Sequence, residues 1–202
     1  MSLHADTLRV LDTWTAPTAG QEALRARFVA HLRAHRDGAE RSCFPDHLTA
    51  GVLVLDGSGE HVLLNLHRKA RRWFHFGGHL EPGDLTLLGA ARREGLEESG
   101  LADLAVDPVP AQLSEHTVGF CDPRGAVQHL DVRYVARAPH SAEPTVSEES
   151  LDVRWWPLSG LPELEQEMHE LIDIARARLA GGQSTWPSGR SSSFAAADQP
   201  MR

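Results

Sequence analysis

The stretch from Gly77 to Leu101 reads GGHLEPGDLTLLGAARREGLEESGL, and no other segment constrains the fold as much. A Gly pair leads into a Glu-Pro-Gly-Asp turn, then into a helical segment, expected over about Leu85–Ser99, that Gly100 closes. At about 100° per residue, Glu97 falls near ~300° and Glu98 near ~40° from Glu94. The three carboxylates therefore share one helix face with Leu87, Ala90, Ala91 and Leu101. Acids that continue an apolar stripe point toward the protein body or a cleft in it. A solvated charge run would lie on the opposite side.

That placement is unfavourable without a partner. Like charges three and four residues apart repel by about a few tenths of a kcal/mol per pair. The helix dipole disfavours anions in the last turn by roughly 0.3–1 kcal/mol each. Arg93, four residues before Glu97, offsets one charge, and a divalent cation offsets the rest. Clustered carboxylate oxygens suit Mg²⁺ or Mn²⁺, and the Gly77 carbonyl is a further candidate oxygen ligand because glycine allows close backbone approach. The competing reading is a Glu-rich amphipathic surface helix. The glycines before the helix, the inward face and the Gly100 stop favour a site.

These residues resemble the Nudix box, G-x5-E-x7-R-E-U-x-E-E-x-G-U. Gly78 matches the opening Gly, and Arg93, Glu94, Glu97, Glu98, Gly100 and Leu101 match the closing half. Asp84 stands where the box has its first Glu, one extra residue precedes Arg93, and Gly95 occupies the apolar U position. The resemblance implies an α+β fold, a mixed β-sheet sandwiched between helices in an α/β/α arrangement. It implies hydrolysis of a phosphoanhydride in a nucleotide or nucleoside diphosphate derivative, with Mg²⁺ or Mn²⁺ held by Glu94, Glu97 and Glu98. Arg93 would orient a Glu. The base is a box Glu or a Glu on a later loop, and Glu149, just before the last strand, is preferred over Glu148 and Glu115. Two other readings are an isopentenyl-diphosphate-isomerase-like enzyme, which needs a Cys and Glu pair, and a non-catalytic nucleotide-binding domain, which would be expected to lose the acids.

The 202 residues, 41 % of them hydrophobic, suit one domain with extensions. The expected division is an N-terminal extension with a helix (1–38), a main domain (39–182) and a disordered tail (183–202) rich in Ser, Ala, Pro and Gly. A net charge of −8 argues against a nucleic-acid polymer as partner, but not against a small diphosphate. Cys43 and Cys121 match no metal or redox spacing, and no Cys/His/His constellation stands out. With no signal-peptide pattern and no apolar run long enough to span a membrane, a cytoplasmic setting is expected.

Residues 1–17 read as a mixed, turn-like stretch. Thr18 is the expected cap of a helix running to about Arg36, packed on the domain or in a homodimer interface. Strands are expected at His47–Leu55 and His61–His67 around an Asp-Gly-Ser-Gly turn, then a short one at Trp73–Phe76. Further strands are expected at Ala111–Phe120, Val127–Arg137 and Leu151–Trp156, and a last helix over Leu161–Leu179. In the Val127–Arg137 strand, polar and apolar residues alternate, predicting one polar and one apolar side. Candidate substrate contacts are Arg68 and Arg72 for phosphates, Trp73 for stacking on a base, His79 in the glycine loop and Arg133 on the sheet.

Overall fold

The computed structural model describes residues 1–139 and 141–181. The elements are α1 (Leu3–Thr13), α2 (Ala19–Ala34), β1 (Asp46–Asp56), β2 (His61–His67), β3 (Trp73–Phe74), β4 (Phe76–His79), α3 (Leu87–Ser99), β5 (Ala105–Val106), β6 (Gln112–Asp122), β7 (Gly125–Ala138), β8 (Ser150–Pro157) and α4 (Gln166–Ala180).

β1 is the spine of a mixed sheet. It pairs in parallel with β7 along its whole length, from Asp46 opposite Gln128 to Asp56 opposite Ala138. Its other edge is shared between two antiparallel partners, β2 near Val54–Leu55 and β4 at Thr49–Val52. β8 extends the sheet beyond β2, while β5 and β6 occupy the far edge of β7. Every residue of β1 from His47 to Asp56 is buried. Such a strand must be apolar on both faces, which its GVLVL run satisfies.

The strand alternation divides the core in two. Leu48, Ala50, Val52 and Val54 pack with Phe28 of α2 and with Leu87, Ala90 and Ala91 of α3. Leu53 and Leu55 pack instead with Met168, Leu171 and Ile172 of α4. Each fully buried Leu contributes roughly 1.5–3 kcal/mol. Helices thus cover both faces of the sheet, in the expected α+β arrangement.

The structure corrects several local expectations. Residues 3–13 are helical, not turn-like. Ser2 caps this helix by accepting the Ala5 N–H, and Leu11 and Trp14 enter the same core as the sheet. The stripe was obscured by Asp6 and Thr7, polar residues that are nonetheless buried. Asp6 is buried for a reason: its Oδ2 accepts the Leu87 N–H at 2.9 Å, at the open N-terminus of α3. Trp14 donates its indole N–H to the Pro110 carbonyl at 2.9 Å.

Of the two settings open for α2, the structure provides the first: Phe28, Val29 and Leu32 are buried in the chain's own core. Gln21 adds an amide bridge to β6, accepting the Leu113 N–H at 2.7 Å and donating to the Leu113 carbonyl at 2.9 Å. α3 begins at Leu87 because the Thr86 hydroxyl accepts the Gly89 N–H. α4 begins only at Gln166; a single 3₁₀ turn at Leu158–Gly160 and an extended Leu161 precede it. On β7 the polar residues Asp131 and Arg133 are buried too, beside the fully buried Leu130 and Val132. The expected disordered tail lies outside the described residues. Among the described residues no helix is long and apolar enough to cross a membrane.

Candidate active site

α3 aims its acids by a local mechanism. Thr86 caps its start, and Gly100 ends it in the left-handed region at φ 66°, where a side chain would be strained. Leu87, Ala90, Ala91 and Gly95 bury one face. Gly95 is there because a Cβ would stand 2.6 Å from Val52 of β1. On the continuation of that face Glu98 is buried and Glu94 nearly so, its side chain 13 % exposed. Glu97 departs from the expected inward face: its side chain is 60 % exposed, at the rim.

Arg93 organises the acids. Its Nε and Nη2 donate to the two oxygens of Asp84 at 3.0 and 2.9 Å, a forked pair. Nη2 also donates to the His79 carbonyl at 3.0 Å, and Nη1 donates to Glu94 at 2.9 Å and Glu97 at 3.0 Å. These five bonds match the five N–H donors of a guanidinium. Burial pushes the Asp84 carboxyl up, but the Arg93 fork and the Glu81 N–H outweigh it and hold the group below its ordinary pKa. It also accepts the Glu81 N–H at 2.8 Å, which folds the preceding turn toward Arg93.

Glu98 is held differently. Its Oε2 accepts the Gly77 N–H at 2.9 Å, and Asn65 of β2 also hydrogen-bonds to it. Ser150 in turn donates to the Asn65 side-chain oxygen at 3.0 Å. The glycine pair allows this closeness. A Cβ on Gly78 would lie 2.8 Å from the Glu94 carboxylate, and one on Gly77 would lie 2.7 Å from Gly51 of β1. Burial pushes the Glu98 carboxyl up to about 8 and the Glu94 carboxyl up to about 7. Glu98 is thus a buried acid held by neutral donors, beside a second acid that shares one guanidinium. That donor set fits a hard divalent cation such as Mg²⁺ or Mn²⁺.

Glu149 occupies the turn before β8, and its charge acts on both Glu94 and Glu98. Arg68 shapes this turn. It donates its backbone N–H to the Glu149 carbonyl at 2.9 Å, Nε to the Glu148 carbonyl at 2.8 Å and Nη2 to the Ser150 carbonyl at 2.9 Å. Glu115 is elsewhere, 3.6 Å from Arg27 of α2.

The other candidate substrate contacts are not gathered into one place. Arg72 pairs with Glu165 ahead of α4. Trp73 packs edge-on against Trp156, ring centroids 5.2 Å apart. Arg133 is buried, bonded to Asp131 at 2.8 Å, Gln112 at 2.9 Å and Glu167 at 3.2 Å. The His79 ring turns away from Arg93 toward Cys121, and burial pushes it down to about 4, so it is uncharged at neutral pH and offers a phosphate no cation. Asn65 escaped the sequence reading. Its signal was one amide in the otherwise apolar interior of HVLLNLH.

A model of the NUDIX domain matches residues 45–174. Solved structures with similar folds include a NUDIX-family hydrolase from Clostridium perfringens, 24 % identical, covering 66 % of this chain and 96 % of that one at a TM-score of 0.47. An Ap4A hydrolase from C. elegans in a binary complex is 22 % identical over 66 % of this chain and 98 % of that one, TM-score 0.47. A bifunctional NMN adenylyltransferase/ADP-ribose pyrophosphatase from Francisella tularensis, complexed with AMP and a Mn ion, is 19 % identical. It covers 78 % of this chain and 48 % of that one, TM-score 0.48. No curated protein matches the chain. The domain match takes in the glycine loop, α3 and the Glu149 turn, well over half of the sequence, and the chain belongs to the NUDIX domain family.

Proposed function

We propose that the chain is a Mg²⁺- or Mn²⁺-dependent hydrolase of a phosphoanhydride bond in a nucleotide or nucleoside diphosphate derivative. The observation that carries this reading is the arrangement of Glu94, Glu97 and Glu98 around Arg93 and the Gly77 N–H. A pyrophosphate is polyanionic and resists attack by water until its charge is neutralised. A bound divalent cation supplies that neutralisation and makes a bound water more acidic.

The chain's own residues do the rest. Glu94, Glu97 and Glu98 would hold the cation, and the Gly77 carbonyl would add an oxygen. Arg93 keeps Glu94 and Glu97 in place while Asp84 fixes Arg93 itself. Glu149 accepts the proton of the attacking water as the new P–O bond forms and the bridging P–O bond breaks. Arg68 positions Glu149 through the turn backbone and does not touch substrate. Arg72 and Trp73 remain candidate substrate contacts, although Arg72 pairs with Glu165 and Trp73 packs on Trp156. The ligand is a small diphosphate and not a nucleic-acid polymer, in keeping with the net charge of −8. The two free cysteines fit a reducing cytoplasm.

The test is a product assay over ADP-ribose, nucleotide sugars, dinucleoside polyphosphates and nucleoside triphosphates, with Mg²⁺, Mn²⁺ or EDTA. At least one substrate class should turn over with metal and none with EDTA. Inactivity across the panel would favour a binding domain.

A further inference from the structure

We propose that His47, His79, Cys121 and His129 form a zinc site, separate from the acidic helix and independent of the hydrolase reading. Their ligand atoms lie within 4.8 Å of one another. The Cys121 Sγ is 3.1 Å from His79 Nε2, 3.4 Å from His129 Nε2 and 3.9 Å from His47 Nε2. A tetrahedral zinc with Zn–N of about 2.0–2.1 Å and Zn–S of about 2.3 Å requires N···S separations near ~3.6 Å. The observed values, 3.1 to 3.9 Å, bracket that figure to within about half an ångström.

The sheet assembles the set. His47 of β1 stands opposite His129 of β7, and His79 of β4 stands opposite Thr49, the next residue on the same face of β1. The pairing of β6 with β7 shifts register between Val118 and Asp122. Such an irregularity re-aims a side chain, and Cys121 lies within it. The three imidazole rings converge with centroids 5.0–5.1 Å apart. One thiol has one proton and cannot satisfy three rings, whereas a cation accepts all four donors.

A second observation fixes the tautomer of one ligand. His47 Nδ1 is 3.0 Å from the Cys43 carbonyl, which takes the ring N–H and leaves the Nε2 lone pair facing Cys121. Metal-bound histidines are commonly oriented by this kind of outer hydrogen bond.

The donor set names the metal. Three imidazoles and a thiolate are borderline-soft and unsuited to Mg²⁺. Four protein donors close the coordination sphere, the pattern of a structural zinc and not of a catalytic one. Zinc there would clamp β1, β4, β6 and β7 together. It would also anchor the backbone of His79, whose carbonyl receives Arg93.

The experiment is a Co²⁺ titration of the full chain after metal removal, followed by competition with Zn²⁺. The expected result is one equivalent of tetrahedral Co²⁺ with a sulfur-to-metal charge-transfer band, displaced by one equivalent of Zn²⁺. Cys121→Ser should abolish the band, while Glu98→Gln and Cys43→Ser keep it. His129→Ala removes a ligand and should weaken zinc binding by at least the ~10- to 100-fold that loss of an outer hydrogen-bond partner costs. Zinc should also raise the melting temperature of the wild-type chain, a readout that needs no variant to fold. A folded wild-type protein with no charge-transfer band would overturn the proposal, as would a band that persists in Cys121→Ser.

Discussion

The acidic helix and the histidine–cysteine cluster are both tied to β4, at Gly77 and at His79, yet their donors differ in kind. At α3, carboxylates gather around a guanidinium and a backbone N–H, with Glu97 open to solvent at the rim. At the other place three imidazoles surround one sulfur, each carried by a different strand. The first set is hard, anionic and open on one side, as a site that admits a charged substrate must be. The second is softer, nearly neutral and closed on itself. On the two proposals, the first centre would exchange ligands and the second would hold strands together, though only Gly78 separates their anchors on β4.

Removing Glu98 should break the comparison most severely. Glu98→Gln keeps a hydrogen-bonding side chain beside Gly77 but loses the charge. Turnover should fall by about 10²- to 10⁴-fold with little change in melting temperature. Near-normal turnover would remove Glu98 from the reaction. Next comes Arg93→Lys, which replaces a five-donor fork by a point charge. It should lower stability by about 1.5–3 kcal/mol in urea unfolding and reduce kcat as Glu94 and Glu97 lose their common anchor.

For the cluster, zinc at a hundred times its dissociation constant should stabilise the wild-type chain by about 2.7 kcal/mol, and Mg²⁺ should not substitute. pH sharpens the contrast further. In the metal-free protein, burial raises Glu94 to about 7 and Glu98 to about 8, above the 4.5 of an unfolded glutamate. The folded chain therefore binds protons that the unfolded chain has released. This contribution to stability is fully present below about pH 4.5 and is lost as pH rises through 7 and 8. Denaturant midpoints should fall over that window, and Mg²⁺ should recover most at the alkaline end. A flat profile would show that these acids titrate normally. The smallest effect belongs to Thr86→Ala, which removes the cap of α3 and should cost about 1 kcal/mol, read by the same urea titration.

How much of this could be read from the chain depends on how local each cause is. The acids of α3 were legible because i, i+3 and i+4 spacing is a property of one helix. The Asp-Gly-Ser-Gly hairpin and the Thr18 cap were legible for the same reason. α1 was not, because Asp6 interrupts its apolar pattern and its buried carboxylate accepts from the start of α3, 81 residues away. Asn65 depends on a strand pairing that brings β2 beside β8. The cluster was least visible of all. Its four residues span His47 to His129, and only the parallel register of β1 and β7, the antiparallel β4 and an irregular end to β6 bring them together. Glu97 shows the limit of the helical wheel itself. The wheel places it on the inward face, but its side chain bonds to Arg93 at the solvent rim.

The most direct test of the central claim is the rate of phosphoanhydride cleavage on the best substrate of the panel, compared between wild type and Glu98→Gln in Mg²⁺ and in EDTA. The account predicts no turnover in EDTA and, with metal, a rate for Glu98→Gln at least about a hundredfold below that of the wild type. Equal rates in the two proteins, or cleavage that survives EDTA, would contradict it.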